Sequence, residues 1–324
     1  MGTSRTGTVK VFVASRFIEP VERAFSEAFE ARFAAPGDSL AELQVAADAG
    51  FEVVIFSLDV GMRAAAIEAL PASIRALATY SVGTDHIDLE AARARGVAVF
   101  NTPGVLADSV AENAIFLMLG AARRGTEAIE LLRRHEWTGW NPGQLVGRQL
   151  AGRTLGILGM GDIGRRIAHR ARALGMRILY CNRRALEASL AEGAEYRSTA
   201  EALVRDVDVL LLACPATDET RGIVNANLLA EAREGIIVVN IARGDLVVDR
   251  ALIDALVSGQ VFAAGLDVFA GEPAIHPEYF DLKNVFMVPH IGSATVEARL
   301  GMGQILIDAI RGWQRGEAVA NRVR

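Results

Sequence analysis

The stretch LGILGMGDIGRRIAHRARALG constrains this chain more than any other. An apolar run that reads as a strand breaks on Gly159, Met160, Gly161, Asp162, Ile163 and Gly164 and passes straight into a helical pattern. In that setting G-x-G-x-x-G points to a dinucleotide. The first glycine allows the tight turn, the second lets backbone approach a pyrophosphate, and the third lets helix and strand pack closely. The N–H groups of the helix start then face the anion. A turn that binds nothing is the plainer reading of the same residues, and the strand–loop–helix context weighs against it. Asp162 puts a negative charge where a pyrophosphate should approach. It is expected to cap the helix instead, which favours a helix by about 0.5–1 kcal/mol.

The glycine loop opens a series of six strand candidates: GRTLGILGMG, RILYCN, DVDVLLLAC, GIIVVNIAR, FAAGLDVF and NVFMVPH. Crossover-length segments separate them, which predicts a doubly wound parallel sheet. Before it, short apolar runs (VKVFVAS, FEVVIFSL, IRALATYSV, VAVFN) alternate with helical stretches such as PVERAFSEAFEARF and DLEAARARG, the pattern of a second, smaller parallel α/β unit. A length of 324 residues suits two domains, given about 100 to 200 residues for each. Two segments with helical periodicity, VLADSVAENAIFLMLGAARR and SATVEARLGMGQILIDAIRGWQRG, are placed at the domain boundary. The last strand candidate leads into a helix and not into a new domain, so the C-terminal segment is expected to return to the first domain. The expected division is 1–101 with 292–324 for the smaller, discontinuous domain and 102–291 for the dinucleotide-binding domain.

Composition removes other classes. A chain that is 51% hydrophobic with a formal net charge of −5 is neither disordered nor built to coat nucleic acid. No apolar run approaches the ~20 residues of a membrane helix, and the start MGTSRTGTVKVFVAS lacks the apolar segment of a secretory signal. The cytoplasm is therefore the expected location, with no membrane partner. Gly2 and Thr6 match a loose myristoylation pattern shared by many soluble proteins and are read as plain N-terminus. Cys181 and Cys214 show no metal-ligand spacing, so neither a metal site nor a disulfide scaffold is expected.

The second strand ends in ILYCNRR, where an NAD site would usually offer a carboxylate to the ribose 2′-hydroxyl. A carboxylate repels a 2′-phosphate, whereas guanidinium groups bind phosphate through charge-assisted, often bidentate hydrogen bonds. Asn182, Arg183 and Arg184 thus favour NADP(H), with NAD(H) as the alternative and two solvated arginines as the plain reading.

Three further residues follow successive strands: Arg243 in NIARGDLVV, Glu272 in GLDVFAGEP and His290 in VPHIGSAT. Ligands of such sheets bind beyond the carboxyl ends of the strands, so the three can converge near the nicotinamide. Reducing a 2-keto acid needs a cation for the carboxylate and carbonyl, a hydride, and a proton for the nascent alkoxide. Arg243 and His290 suit the first and last of these. Glu272 would orient the imidazole and favour its protonated form. Taken singly, each has a bland role, as a strand-end ion pair, a surface carboxylate and a satisfied histidine.

With these residues assembled, the chain resembles the D-isomer-specific 2-hydroxyacid dehydrogenases over nearly its whole length. The likeness is carried by YSVGTDHIDLEAARARGVAVFNTPG, SVAENA, GILGMGDIG, CPATDETRGIVN, VVNIARGDLVV, AAGLDVFAGEP and VPHIGSAT, in family order. It implies an α/β fold of two domains, a Rossmann doubly wound parallel sheet and a smaller flavodoxin-like substrate-binding domain, in a homodimer. It implies Arg243, Glu272 and His290 as the catalytic set, and the backbone amides of Val82 and Gly83, opposite Arg243, as holders of the substrate carboxylate. Cys214, Pro215, Thr220, Ile241, Ala242, Asp267 and Gly292 match the family's cofactor contacts, Asp267 toward the nicotinamide carboxamide. Asp162 departs from the Arg often found within the family's glycine loop. Within the family, the absent carboxylate and EWTGWNPGQLVGRQLAG look most like glyoxylate/hydroxypyruvate reductases, in which a Trp of the neighbouring subunit can reach the active site. Trp140 is the candidate here, Trp137 the second, and a plain interface anchor the competing role. The implied activity is an NADPH-preferring reduction of glyoxylate and hydroxypyruvate to D-2-hydroxy acids. The alternatives are an NAD-dependent enzyme of D-lactate or D-3-phosphoglycerate type and a non-enzymatic, nucleotide-sensing corepressor-like protein.

Overall fold

A computed structural model of the protein describes residues 8–37, 39–45 and 49–323. Gly2 and Thr6 of the acylation pattern lie outside the described residues. The chain divides into two compact units, Met1–Leu106 with Ala294–Arg324, and Ala107–Ser293.

In the first unit, β1 (Lys10–Val13), β2 (Glu30–Phe33), β3 (Val53–Phe56), β4 (Ala76–Thr79) and β5 (Ala98–Phe100) form a parallel sheet in the order β2-β1-β3-β4-β5. That is the flavodoxin-like order. The terminal strand Arg322–Val323 adds antiparallel to β5. β3 and β4 are buried at every position, as strands covered on both faces must be. The helix Val296–Gln314 belongs to this unit: it starts from Thr295, whose hydroxyl accepts from Ala298 N at 3.2 Å, and the Tyr80 hydroxyl bonds the Arg299 carbonyl.

The second unit holds a seven-stranded, all-parallel sheet. Its strands are β6 (Thr154–Leu158), β7 (Arg177–Cys181), β8 (Glu195–Arg197), β9 (Val209–Leu212), β10 (Ile236–Asn240), β11 (Val261–Leu266) and β12 (Val285–Met287). In the order β12-β11-β10-β9-β6-β7-β8 the chain runs outward from β6 to one edge, then returns to β9 and runs to the other. β6 and β9 therefore flank the switch point at which ligands of doubly wound sheets bind. The helix Asp162–Ala173 buries Gly164, Ile167, Ala168 and Ala171, a single stripe at helical spacing.

Two expectations need correction, and both concern edges. PVERAFSEAFEARF is not one helix: the helix stops at Ala28, and Glu30–Phe33 forms β2 beside β1, pairing Lys10 with Glu30. The second sheet has seven strands, not six, the addition being β8 with the sequence EYR. Each edge strand has a partner on one side only and keeps polar side chains in solvent, so neither carries the apolar run that marks a central strand.

Candidate active site

The glycine loop crosses the switch point, and its three glycines do different work. Gly159 has φ +100°, and a Cβ there would lie 2.5 Å from the Cys214 nitrogen at the end of β9. A Cβ on Gly164 would lie 2.6 Å from the Gly159 carbonyl oxygen and 3.3 Å from Ile157 Cγ2. Gly161 is the opposite case: nothing stands within 4 Å of its Cβ position. The first and last glycines let protein meet protein, while the middle one leaves an open approach. Beside the loop lies a cavity of about 980 Å³, lined among others by Gly161, Arg183, Arg184, Cys214, Pro215 and Thr220. An open approach at a helix start, a cavity of this size and two guanidinium groups fit a dinucleotide phosphate.

Asn182 lines the same cavity as its two neighbours and also ties down the glycine loop. Its Oδ1 accepts from Met160 N at 2.7 Å and its Nδ2 donates to Met160 O at 3.3 Å, so the amide clamps the glycine loop to the end of β7. Asp162 does not cap the helix, contrary to expectation. Gly161 is the N-cap, and the Asp162 carboxylate turns along the helix to Arg166 at 3.4 Å and Arg165 at 3.7 Å. These neighbours offset its charge. A carboxylate also reaches the cavity from another strand: Glu219, in the loop after β9. The Thr217 hydroxyl, donating at 2.6 Å, and the Arg183 guanidinium both hold its carboxyl below the usual range. Burial pushes the Cys214 thiol up to about 11, so it lines the cavity as a neutral group.

At the carboxyl ends of β10, β11 and β12 stand Arg243, Glu272 and His290. His290 Nδ1 is hydrogen-bonded to Glu272 Oε1. Burial pushes the Glu272 carboxyl up, but the His290 imidazole, the Phe269 N–H and the Arg243 guanidinium outweigh it and hold the group below the ordinary carboxylate range. The three side chains thus share one electrostatic neighbourhood, with the Nε2 edge of His290 turned away from the carboxylate.

The backbone supports this arrangement. His290 has φ +50°, a left-handed conformation that disfavours an L residue by about 1–2 kcal/mol. Asp267 holds it there. The Asp267 carbonyl accepts from His290 N at 2.8 Å, Oδ1 accepts from Ile291 N at 2.7 Å, and Oδ2 accepts from Gly292 N at 2.9 Å. The Asp267 side chain is only 1% exposed, and burial pushes its carboxyl up. Two residues not anticipated from sequence complete the frame. The buried Asn240 amide donates to Arg243 O at 2.8 Å and accepts from Ala242 N at 3.1 Å, folding the segment Ile241–Arg243. Ser109 donates to Gly292 O at 2.7 Å. Asn240 is the one polar residue of the strand IIVVN, and that mismatch is the signal that could have found it; Ser109 sits among other polar residues and leaves no such mark.

In the first unit, the turn after β4 directs its carbonyls inward. Ser81 O accepts from Thr102 N at 2.9 Å, Val82 O from Asn101 Nδ2 at 2.9 Å, and Gly83 O from Ser81 Oγ at 2.7 Å. Neither Val82 N nor Gly83 N meets an acceptor among the described residues. Two such N–H groups on consecutive residues suit a carboxylate.

Trp137 and Trp140 lie in the segment after the helix Gly125–Arg133 and are 53% and 79% exposed. Phe116, Leu119, Ile129 and Leu132 are exposed on the two helices before it. Among the described residues no helix is long and apolar enough to cross a membrane, and no group of three or more His, Cys, Asp and Glu could hold a metal ion.

The family profile described as D-isomer specific 2-hydroxyacid dehydrogenase, NAD binding domain, matches residues 115–292. A glycerate dehydrogenase of Hyphomicrobium methylovorum is 41% identical over 81% of this chain and 83% of its own. A glyoxylate reductase of Thermococcus kodakarensis is 45% identical over 75% of this chain and 74% of its own. Among solved structures, an NADPH-dependent glyoxylate/hydroxypyruvate reductase of Sinorhizobium meliloti in complex with NADP and malonate superposes with a TM-score of 0.86 at 31% identity, covering 98% of this chain and 97% of that one.

Proposed function

The chain belongs to the D-isomer-specific 2-hydroxyacid dehydrogenase family, and from that premise we propose that it is an NADPH-preferring reductase of small 2-keto acids, glyoxylate and hydroxypyruvate first. The observation that carries the reading is the bond between His290 Nδ1 and Glu272 Oε1 within the field of Arg243. A bound nicotinamide cofactor supplies the hydride. The substrate carboxylate is held by the N–H groups of Val82 and Gly83, and the Arg243 guanidinium polarises the keto oxygen. His290 Nε2 donates its proton to that oxygen as it becomes a hydroxyl. Glu272 fixes the ring orientation and stabilises the positive charge of the proton-loaded imidazole. The product is the D-2-hydroxy acid.

The preference for NADP(H) rests on Arg183 and Arg184, which line the cavity beside the glycine loop and bind the 2′-phosphate. Arg183 already interacts with the Glu219 carboxylate, and a 2′-phosphate competes for the same guanidinium. Asn182 contributes by holding the loop. Cys214, Pro215 and Thr220 serve the adenosine side of the cofactor, and Ile241, Ala242, Asp267 and Gly292 the nicotinamide side. The unit Ala107–Ser293 is the dinucleotide-binding domain and the other unit is the substrate-binding domain. The protein acts as a homodimer. Phe116, Leu119, Ile129, Leu132, Trp137 and Trp140 give one unit a concentration of exposed apolar side chains that a second copy would cover, with Trp140 reaching the other subunit's active site.

The test is a steady-state panel of glyoxylate, hydroxypyruvate, pyruvate and bulkier keto acids with NADPH and NADH. NADPH oxidation on adding glyoxylate, lost in Arg243→Ala, is the expected result. No turnover with any keto acid would overturn the reading.

A further inference from the structure

Beneath the turn that presents Val82 and Gly83 lies a buried line of polar side chains that the proposed chemistry does not use. Thr79, Ser81 and His86 are 0%, 6% and 7% exposed. Thr79 Oγ1 lies 2.9 Å from His86 Nε2 and 2.7 Å from Ser81 Oγ, and Ser81 Oγ lies 2.7 Å from the Gly83 carbonyl oxygen.

Proton counting fixes the direction of this line. A carbonyl oxygen only accepts, so Ser81 spends its one hydroxyl proton on Gly83. Ser81 Oγ must then accept from Thr79, whose own single proton is thereby used. Thr79 Oγ1 in turn accepts from His86, so Nε2 of His86 carries a proton. The line runs one way, His86 Nε2–H to Thr79, Thr79 to Ser81, Ser81 to Gly83, with no freedom to reverse. Its start is fixed from outside: Met62 N donates to His86 O at 2.9 Å, and the imidazole meets the Phe56 ring edge-on with centroids 5.6 Å apart.

We infer that His86, Thr79 and Ser81 are positioning residues for substrate binding, a one-way relay that pins the Gly83 carbonyl inward and so keeps the Val82 and Gly83 N–H groups turned out toward the keto-acid carboxylate. The inference rests on the proposed carboxylate-binding role of those two N–H groups. None of the three side chains touches the reacting atoms. Their effect is preorganisation: a turn already fixed with its donors outward loses less freedom on binding an anion than one that must be ordered by it.

Thr79→Val keeps the shape and removes the hydroxyl in mid-relay, Ser81→Ala removes the last link, and Thr79→Ser keeps a hydroxyl at the same place. The expected result is a rise of about 10-fold in KM for glyoxylate in the first two, with kcat and KM for NADPH within about 2-fold of wild type, and near-wild-type KM in Thr79→Ser. Should Thr79→Val fail to fold, Ser81→Ala reads the same link. Unchanged KM for glyoxylate in Ser81→Ala, or equal changes in both KM values and kcat, would overturn the inference. The nitrogen-15 shifts of the His86 imidazole give a readout independent of turnover. A proton on Nε2 supports the relay even if no keto acid is reduced, a result that would fail only the functional reading, and a ring protonated on Nδ1 alone removes the relay.

Discussion

Two turns in this protein stand just past the carboxyl end of a parallel strand at the proposed ligand sites, and they are built by opposite means. The glycine loop after β6 reaches its shape by leaving side chains out: a Cβ on Gly159 would lie 2.5 Å from Cys214 N, and nothing stands within 4 Å of the Cβ position of Gly161. The turn after β4 reaches its shape by putting polar side chains in, with Thr79, Ser81 and His86 buried beneath it. The contrast suits the proposed ligands. A pyrophosphate is bulky and needs backbone to be approached from outside, whereas a small carboxylate needs only two donors held still.

Substitutions can break or sharpen this contrast. For cofactor binding, the largest effect is expected for Gly159→Ala, where φ +100° and the contact with Cys214 oppose any side chain. Thermal stability should fall and NADPH affinity should drop on the order of 100-fold, and a variant that binds NADPH like wild type would show that the loop has room to relax. Gly161→Ala separates ligand from fold, because its Cβ meets nothing in the protein. Its melting temperature should match wild type while KM for NADPH rises about 10-fold or more; a KM as low as wild type would mean that the pyrophosphate lies elsewhere.

Next in size comes the double change Arg183→Ala with Arg184→Ala. It should raise KM for NADPH about 10-fold and leave KM for NADH near wild type. Equal shifts for the two cofactors would refute recognition of the 2′-phosphate. The smallest effect concerns pH. Glu272 is held below the ordinary carboxylate range by His290, the Phe269 N–H and Arg243, against burial. A carboxyl depressed in the folded state contributes stability at pH above its unfolded value and loses that contribution as pH falls through the folded one. Acid melts of wild type and Glu272→Gln should therefore converge as pH drops below the carboxylate range, and curves that stay parallel would contradict this account.

Legibility in the sequence followed the same contrast. The glycine loop and the strand β6 before it could be read directly, because missing side chains and buried apolar runs leave marks in the residue order. β10 (IIVVN) was visible for the same reason, whereas β2 (EARF) and β8 (EYR) were not, since edge strands look like surface. Arg243, Glu272 and His290 could be named from their places after strands, but the sequence holds no sign that His290 is left-handed or that Asp267 is what holds it so. Asn182 stands where the sequence expects a cofactor contact, and its amide also clamps Met160, a pairing between residues 160 and 182 that only the alignment of β6 with β7 creates. The Thr79–Ser81–His86 relay was hidden for a further reason. Three common polar residues within YSVGTDHID look like a solvated loop until burial is known.

The central claim is that His290, oriented by Glu272, delivers a proton to a reduced keto acid. Single-turnover and steady-state rates of His290→Ala with glyoxylate and NADPH, alongside equilibrium binding of NADPH, test it most directly. The account predicts a fall in kcat of about 10²- to 10⁴-fold with NADPH binding unchanged; a His290→Ala enzyme that turns over at the wild-type rate would contradict it.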